Sequence, residues 1–167
     1  MQEDNVLKIE RVFDAPVAKV WAAWTEADKI KQWWGPEGYS APEVQIDFRE
    51  GGKYLYCMRG PAGPGGPIVD AWSGGEFKEI VPQQKIVVLD YFADEHGNRK
   101  TPAEFGLPAD FPAESLITIT FEEEDGKTRL TLNYPIPAES VAREAMLRGS
   151  GMVEGWTSSL NKLAAIL

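Results

Sequence analysis

Residues 17 to 36 read VAKVWAAWTEADKIKQWWGP, and this stretch decides most of what the sequence predicts about the fold. It follows the dipeptide Ala15-Pro16 and contains four of the chain's six tryptophans, Trp21, Trp24, Trp33 and Trp34. Apolar residues recur at i, i+3, i+4 and i+7 from Val17 to Trp24, and at i, i+3 and i+4 from Ile30 to Trp34. Because this spacing is typical of a helix with one apolar face, the stretch predicts two short helices.

Three signals in the same stretch predict where the helices begin and end. Pro16 suits a first helical turn, where its missing N–H removes no hydrogen bond. Thr25 and Asp28 form a capping-box pattern, which predicts the start of the second helix. Gly35-Pro36 is a typical helix stop and ends the second helix.

Alternating apolar and polar residues predict seven strands around this helix pair. The first strand precedes the helices, and its residues Leu7, Ile9, Arg11 and Phe13 share one face. The other six follow, at about residues 44–48, 54–58, 71–80, 85–92, 116–121 and 128–134. Gly74-Gly75 predicts a bulge in the fourth strand, and Asp125-Gly126 predicts a tight hairpin turn between the last two.

The last part of the chain predicts a long helix, from about residue 138 to residue 167. Its apolar stripe consists of Ala145, Gly149, Met152, Trp156, Leu160, Leu163 and Leu167. Six consecutive strands joined by hairpins form an antiparallel meander, and the natural partner of its apolar face is this helix. The fold class is therefore α+β, in a single domain that covers residues 1–167.

The connections between the strands predict where a pocket opens. In a meander, successive hairpin loops alternate between the two ends of the sheet. The long loops 60–70 and 94–114 therefore share one end with residues 35–39 and with the start of the last helix. Loops of this length inside a compact domain are usually functional or disordered. This end of the sheet is the predicted mouth.

The glycines of the last helix allow two interpretations. Each glycine inside a helix costs about 1 kcal/mol relative to alanine. Gly149, Gly151 and Gly155 fall within seven residues, which suggests room for a ligand, close packing or a hinge. In the other interpretation the helix breaks near residues 149–151 and a shorter helix follows.

Composition excludes several classes of protein and sets the expected compartment. The net charge is −9, and no basic cluster is present that could bind nucleic acid. The single cysteine excludes an internal disulfide, and one cysteine with one histidine cannot build a usual zinc site. Neither a signal-peptide pattern nor an apolar run long enough for a membrane helix is present. We therefore expect a cytoplasmic protein without a metal, a cofactor, a nucleic-acid partner or a membrane partner.

Several motifs together resemble the START-like, helix-grip superfamily (SRPBCC), and within it the branch named for the activator of heat-shock-protein-90 ATPase. They are Phe13–Pro16, Val20–Thr25, Trp33–Pro36, Gly51-Gly52, Gly75–Ile80, Thr118–Phe121 and Gly155-Trp156. The two long loops depart from the family pattern. The resemblance implies a curved seven-stranded antiparallel sheet wrapped on the C-terminal helix, two short helices after strand one, and a cavity between sheet and helix. It also implies hydrophobic ligands, since superfamily members bind lipids, sterols or polyketides and a minority are cyclases or hydratases.

The candidate ligand-binding residues are those expected to face this cavity. They are Arg11, Tyr54, Tyr56, Met58, Trp72, Phe77, Tyr91, Met146, Met152 and Trp156, and Met152 is the first choice among them. Ordinary core packing explains the tyrosines, Met58 and the other aromatic residues equally well. Arg11 has two interpretations. It binds an acidic ligand group in the cavity, or it is structural, either in an ion pair with an acid such as Asp90 or on an edge strand from which it reaches water. No catalytic residue is assigned.

Three functions follow from these observations, and cavity volume distinguishes them. The first is binding of a small hydrophobic or amphipathic molecule between sheet and helix. The second is a co-chaperone-like or regulatory module with a chaperone or other protein partner, a filled core and a large exposed apolar patch. The third is an enzyme of the cyclase or hydratase type, for which the acid–base candidates are Arg11, Asp90, His96 and the tyrosines. A cavity of roughly 300 Å³ or more favours the first and third functions. The oligomeric state stays open.

Overall fold

Seven antiparallel strands form one open sheet in the computed structural model, which describes residues 6–62, 65–109, 111–136 and 152–167. The strands are β1 (Val6–Phe13), β2 (Val44–Ile46), β3 (Lys53–Pro61), β4 (Ile68–Val81), β5 (Lys85–Ala93), β6 (Glu114–Glu124) and β7 (Lys127–Pro135). Their order across the sheet is β1-β7-β6-β5-β4-β3-β2. The predicted meander is confirmed for β2 to β7, and β1 returns to pair with the last of them.

Three α-helices in the described ranges cover the concave face of this sheet. The helices α1 (Val17–Thr25) and α2 (Ala27–Trp33) lie between β1 and β2, and α3 (Met152–Ile166) follows β7. This arrangement confirms the predicted helix-grip fold. A short 3₁₀ helix at Pro102–Phe105 lies in the connection between β5 and β6.

The predicted caps of the two short helices are wrong in detail. Pro16 is itself the cap residue of α1, one position before the first helical residue. The cap of α2 is Glu26, without a side-chain hydrogen bond. Thr25 is unavailable for a capping box because it ends α1, and its hydroxyl donates to the Trp21 carbonyl at 2.9 Å. Such a bond to the carbonyl four residues earlier is the usual alternative for a helical threonine.

Tryptophans of residues 17–36 hold α1 and α2 together and pack them against the sheet. Trp33 is fully buried, and its indole N–H donates to the Ala23 carbonyl at 2.9 Å. Its ring lies 4.8 Å from that of Trp24, which meets Phe121 of β6 edge-on. The pair is thus tied together by one buried hydrogen bond and a large aromatic contact area.

The apolar stripe of the last helix is confirmed where the structure describes it. Leu160 and Leu163 are buried in the core, and Trp156 and Leu167 pack against it partly exposed. Ala145, Gly149, the side chain of Met152 and the predicted helical residues 138–151 lie outside the described residues. Whether the helix breaks near residues 149–151 therefore stays a prediction.

The two glycine signals in the strands have different outcomes. Asp125 and Gly126 have φ angles of 54° and 80°, so the predicted hairpin turn is confirmed. The bulge predicted at Gly74-Gly75 is wrong, because both residues pair regularly with β5 and the irregularity lies between Phe77 and Glu79. The glycines instead make room for tyrosine rings on the two faces of the sheet. A Cβ at Gly75 would lie 2.2 Å from Tyr54 Cε1, and one at Gly74 would lie 2.8 Å from Tyr91 Cε1.

Candidate functional site

An open cavity of about 650 Å³ lies between the concave face of the sheet, α3 and the long connection before β6. Its wall includes Gly35 and Tyr39, Phe105 and Phe111, and Gly155 of α3. The predicted convergence of residues 35–39, loop 94–114 and the last helix on one mouth is confirmed. No described residue of loop 60–70 borders this cavity, although the flanking strand residues Met58 and Ala71 do, and residues 63 and 64 of the loop lie outside the described ranges. We call this space the outer cavity.

A second, smaller space of about 80 Å³ continues into the core, and we call it the inner cavity. It shares five wall residues with the outer cavity: Trp34, Ser73, Asp90, Tyr134 and Trp156. It has room for a few water molecules, and its wall includes Trp24, whose buried indole N–H has no hydrogen-bond partner among the described residues. The two spaces are therefore neighbours that share part of their walls.

Trp156 of α3 stands at the boundary between the two cavities. Its ring stacks on Trp24 with centroids 5.9 Å apart and planes inclined by 13°, and it meets Trp34 edge-on at 5.6 Å. Its indole N–H donates to the Tyr134 hydroxyl at 2.9 Å. Stacking and hydrogen bond together fix the ring, so the boundary is a positioned aromatic wall.

The polar end of the site is a contact that spans three strands. Tyr54 of β3 pairs with Gly75 of β4, which in turn pairs with Asp90 of β5. Because Gly75 has no side chain, the Tyr54 ring lies across it, and the Tyr54 hydroxyl donates to Oδ1 of Asp90. The carboxyl group of Asp90 is thereby held at the inner end of the largely apolar outer cavity.

Burial shifts the proton equilibria of these groups. Loss of water raises the pKa of Asp90 to about 6, although the hydrogen bond from Tyr54 opposes the rise. Burial also raises the pKa of Tyr54, Tyr56 and Tyr134, and the charge of Asp90 adds to the effect in each case. The three phenols therefore stay protonated at neutral pH. Tyr54 donates its one hydrogen to Asp90, whereas Tyr56 and Tyr134 donate to no acceptor among the described residues and can donate to a ligand.

The long connection before β6 forms one side of the outer cavity. The rings of Phe105 and Phe111 pack on Phe92 of β5 at centroid distances of 4.8 and 6.1 Å. The 3₁₀ helix that holds Phe105 begins with a capping box between Thr101 and Glu104. Loop 94–114 is thus built around its own aromatic contacts, as functional loops often are.

The predicted site residues fall into three groups. Tyr54, Tyr56 and Phe77 border the inner cavity, Met58 borders the outer one, and Trp156 borders both. Trp72 and Tyr91 border the outer cavity, but strand alternation places their side chains with Gly74 on the convex face. Met146 and the side chain of Met152 lie outside the described residues.

Arg11, the tenth candidate, is absent from the described walls of both cavities. Its face of β1 is the predicted one, but its guanidinium donates to Oδ1 of Asn161 in α3 at 2.5 Å. It also lies 5.7 Å from the centroid of the Phe13 ring. Arg11 therefore contacts the neutral side chain of Asn161, and not Asp90 or the described wall of the cavity.

Other residues of the site were not predicted from the sequence. Ser73, Phe92 and Phe111 belong to the walls, and Asp90 was considered only as an acid–base candidate and as a partner for Arg11. Gly75 is the sequence signal that could have revealed the contact between Tyr54 and Asp90, because a glycine inside a strand often marks the close approach of another group. His96, the remaining acid–base candidate, lies in an exposed turn beside Glu95.

Within the residues that the structure describes, no group of three or more His, Cys, Asp or Glu side chains is arranged to hold a metal ion. None of the helices in these ranges is both long and apolar enough to cross a membrane.

Comparison with known proteins gives the family. The model of the family described as Activator of Hsp90 ATPase homolog 1-like protein (AHSA1) matches residues 14–167. The chain belongs to this family. It is a START-like protein of the AHSA1 branch, as the motifs of the sequence indicate. No curated protein matches the chain significantly.

Solved structures of bacterial proteins resemble this AHSA1-family chain over its whole length. A protein from Mycobacterium smegmatis is 30% identical with a TM-score of 0.79, and the match covers 100% of this chain and 93% of that one. A protein from Arthrobacter aurescens is 29% identical with a TM-score of 0.74, over 99% and 87% of the two chains. An AHSA1 protein from Silicibacter pomeroyi is 28% identical with a TM-score of 0.67, over 96% of each chain.

Proposed function

We propose that this AHSA1-family protein binds a small hydrophobic or amphipathic molecule in the outer cavity. The observation that carries the proposal is the open space of about 650 Å³ with aromatic walls and a carboxyl group at its inner end. Sites for small molecules commonly have volumes of roughly 300–1,000 Å³, apolar walls and a few positioned polar groups. The outer cavity fits each of these features.

The alternative of a protein-interaction module has less support among the described residues. It requires a filled core and a contiguous exposed apolar patch. The most exposed large apolar side chains are Ile68, Val69, Leu116, Val12, Ile166 and Val6, and they are distributed over four elements, β4, β6, β1 and α3. The family description, which refers to an activator of Hsp90 ATPase, is what keeps a chaperone partner as the alternative.

Native mass spectrometry of freshly purified protein, with solvent extraction, tests the proposal. We expect an added mass that survives gentle ionisation and that the solvent releases as a small organic molecule. An empty protein that also ignores added fatty acids, sterols and aromatic polyketides would contradict the proposal. It would favour the interaction module, for which pull-down with purified Hsp90 is the next experiment.

Acid–base catalysis on the same scaffold is the second candidate, and Asp90 is the observation that favours it. A buried carboxyl group with a pKa of about 6 beside a protonated phenol is a common arrangement for proton transfer. If the extracted molecule is returned to the protein and recovered chemically changed, the protein is an enzyme. Recovery of the unchanged molecule from both the natural protein and an Asp90→Asn variant supports binding alone.

A further inference from the structure

We propose that the outer cavity selects amphipathic molecules whose polar end is a protonated amine. The inference rests on the proposed function, since it assigns a ligand class to that same cavity. It follows from the charges on the described wall, from the state of Asp90 and from the aromatic faces beside it.

The charged residues on the described wall of the outer cavity all have the same sign. They are Asp90 on β5, Glu114 at the start of β6 and Glu154 in the first turn of α3. The Glu114 side chain lies with its strand partner Tyr91 on the convex face of the sheet, so Asp90 at the inner end and Glu154 on α3 are the acids that a ligand meets. These two charges attract a cation that enters the outer cavity and repel a carboxylate.

Two described basic side chains close to this wall, Arg99 and Lys162, are engaged elsewhere. Arg99 forms an ion pair with Glu114 and lies 4.2 Å above the Tyr91 ring, so Glu114 contributes less than the other two acids. Lys162 donates to the carbonyls of Gly35 and Tyr39, at 3.0 and 3.1 Å, from behind the mouth. Neither cation is part of the described wall of the cavity. The described part of the wall therefore keeps a net negative charge, at Asp90 and Glu154.

Asp90 has unused capacity to accept hydrogen bonds. Tyr54 donates to Oδ1, and among the described residues no donor contacts Oδ2. An ammonium group carries up to three N–H donors and can satisfy this oxygen with a charge-assisted bond. A neutral hydroxyl forms a weaker bond there, and an ionised carboxylate forms none.

Aromatic faces surround the position that the amine would occupy. Trp34, Tyr134 and Trp156 border both cavities together with Asp90. A cation near the face of a tryptophan or tyrosine is attracted by the negative charge of the ring face. The apolar body of the same ligand would lie against Phe92, Phe105 and Phe111 nearer the mouth.

Three fluorescent probes with the same body and different polar ends test the inference: pyrenylmethylamine, pyrenylmethanol and pyrenylacetate. Fluorescence titration at about pH 8 keeps Asp90 ionised, given its pKa of about 6. We expect the amine to bind about tenfold or more tighter than the alcohol, as a charge-assisted hydrogen bond allows, and the acetate to bind weakest.

Three variants locate the preference. Asp90→Asn should reduce the advantage of the amine over the alcohol to about twofold or less and leave the alcohol almost unchanged. Glu154→Gln, on the exposed side of α3, should weaken amine binding a few-fold without affecting the fold. Glu122→Gln, an exposed strand residue outside both described walls, should change nothing.

The possible outcomes separate this inference from the proposed function. Equal binding of the three probes, or tighter binding of the acetate, overturns the amine preference and leaves a less selective cavity. A preference that persists unchanged in both Asp90→Asn and Glu154→Gln also overturns it. If none of the probes binds and native mass spectrometry finds no ligand, the proposed function fails together with this inference.

Discussion

The ring of Tyr54 crosses strand β4 at Gly75, and its hydroxyl donates to Asp90 on the strand beyond. The contact thereby joins two residues that are thirty-six positions apart in the chain, and it passes over Gly75, which has no side chain. The contact orients the ring and holds a carboxyl group on the cavity wall, where it is costly to bury. This three-strand contact connects the packing of the sheet with the chemistry of the site.

Substitution of Gly75 by alanine should disrupt this contact. The new Cβ would lie 2.2 Å from Tyr54 Cε1 and 2.5 Å from the Leu89 carbonyl oxygen, and the latter is backbone that cannot move aside. We expect the free energy of unfolding to fall by about 3 kcal/mol, at the upper end of what overpacking costs. Urea denaturation measures the change.

Gly74→Ala is the matched control for this prediction. The heavy atoms nearest to its Cβ would be those of the Tyr91 side chain, from 2.8 Å, on the opposite face of the sheet, where the ring can shift outward. Since alanine is favoured over glycine in a strand by about 0.5–1 kcal/mol, we expect a net change of at most about 1 kcal/mol. Equal losses in the two variants would contradict the special role of Gly75.

Asp90 should make stability fall as the pH rises. Its pKa is raised from 3.8 to about 6 in the folded protein, so between these values the folded state binds a proton that the unfolded state has released. The contribution of Asp90 to stability is therefore greatest at low pH and is lost as the pH rises through about 6. The full difference corresponds to about 3 kcal/mol.

Comparison with Asp90→Asn isolates this effect from the other titrating groups. Asparagine keeps an acceptor for Tyr54 but carries no charge at any pH. The free energy of unfolding of the natural protein, minus that of the variant, should decrease by up to about 3 kcal/mol between about pH 4 and about pH 8. A difference that stays constant over this range would mean that Asp90 has an ordinary pKa.

The sequence predicts the fold well because its strongest signals are local. The tryptophans of residues 17–36 recur with helical spacing, and the strands alternate in hydrophobicity, so element type and order follow from short windows. The position of the mouth then follows from the alternation of hairpin loops. The capping box at Thr25 fails because the hydroxyl can either accept from the Asp28 backbone N–H as a cap or donate to the Trp21 carbonyl within α1, and spacing alone does not show which bond forms.

The chemistry of the site is harder to predict because it depends on contacts between distant strands. Tyr54 and Asp90 meet only through the register of three strands, and hydrophobic patterning does not give that register. Trp72 and Tyr91 were assigned to the cavity by their aromatic character, although strand alternation places both side chains with Gly74 on the convex face. The guanidinium of Arg11 donates to a neutral side chain, that of Asn161, on a helix far along the chain.

Cys57 should be almost inert toward thiol reagents in the folded protein. Its side chain is only 1% exposed, and burial, reinforced by the charge of Asp70, raises the pKa of its thiol to about 11. Because the thiolate is the reactive form, only about one molecule in ten thousand carries it at neutral pH. Reaction with a chromogenic disulfide should be slow in native protein and rapid in urea. Fast native labelling would show that β3 opens locally.

Gly155 provides the most direct test of the cavity itself. It borders the outer cavity from α3, and apart from its chain neighbours and its own helix backbone no heavy atom of the described residues lies within 4 Å of the position that a Cβ would take there. Close packing against the described residues therefore does not explain this helical glycine, whereas open space for a ligand does. Gly155→Phe should place a ring in that space and lower affinity for pyrenylmethanol at least about tenfold, as loss of apolar contact area implies.

Gly155→Ala is the control, because it adds a single methyl group to the same position. It should leave binding nearly unchanged and raise the free energy of unfolding by up to about 1 kcal/mol, since alanine is the better helix former. Fluorescence titration measures binding and urea denaturation measures stability for both variants. If Gly155→Phe binds the probe as well as Gly155→Ala does, while both remain folded, the ligand does not occupy the outer cavity beside α3.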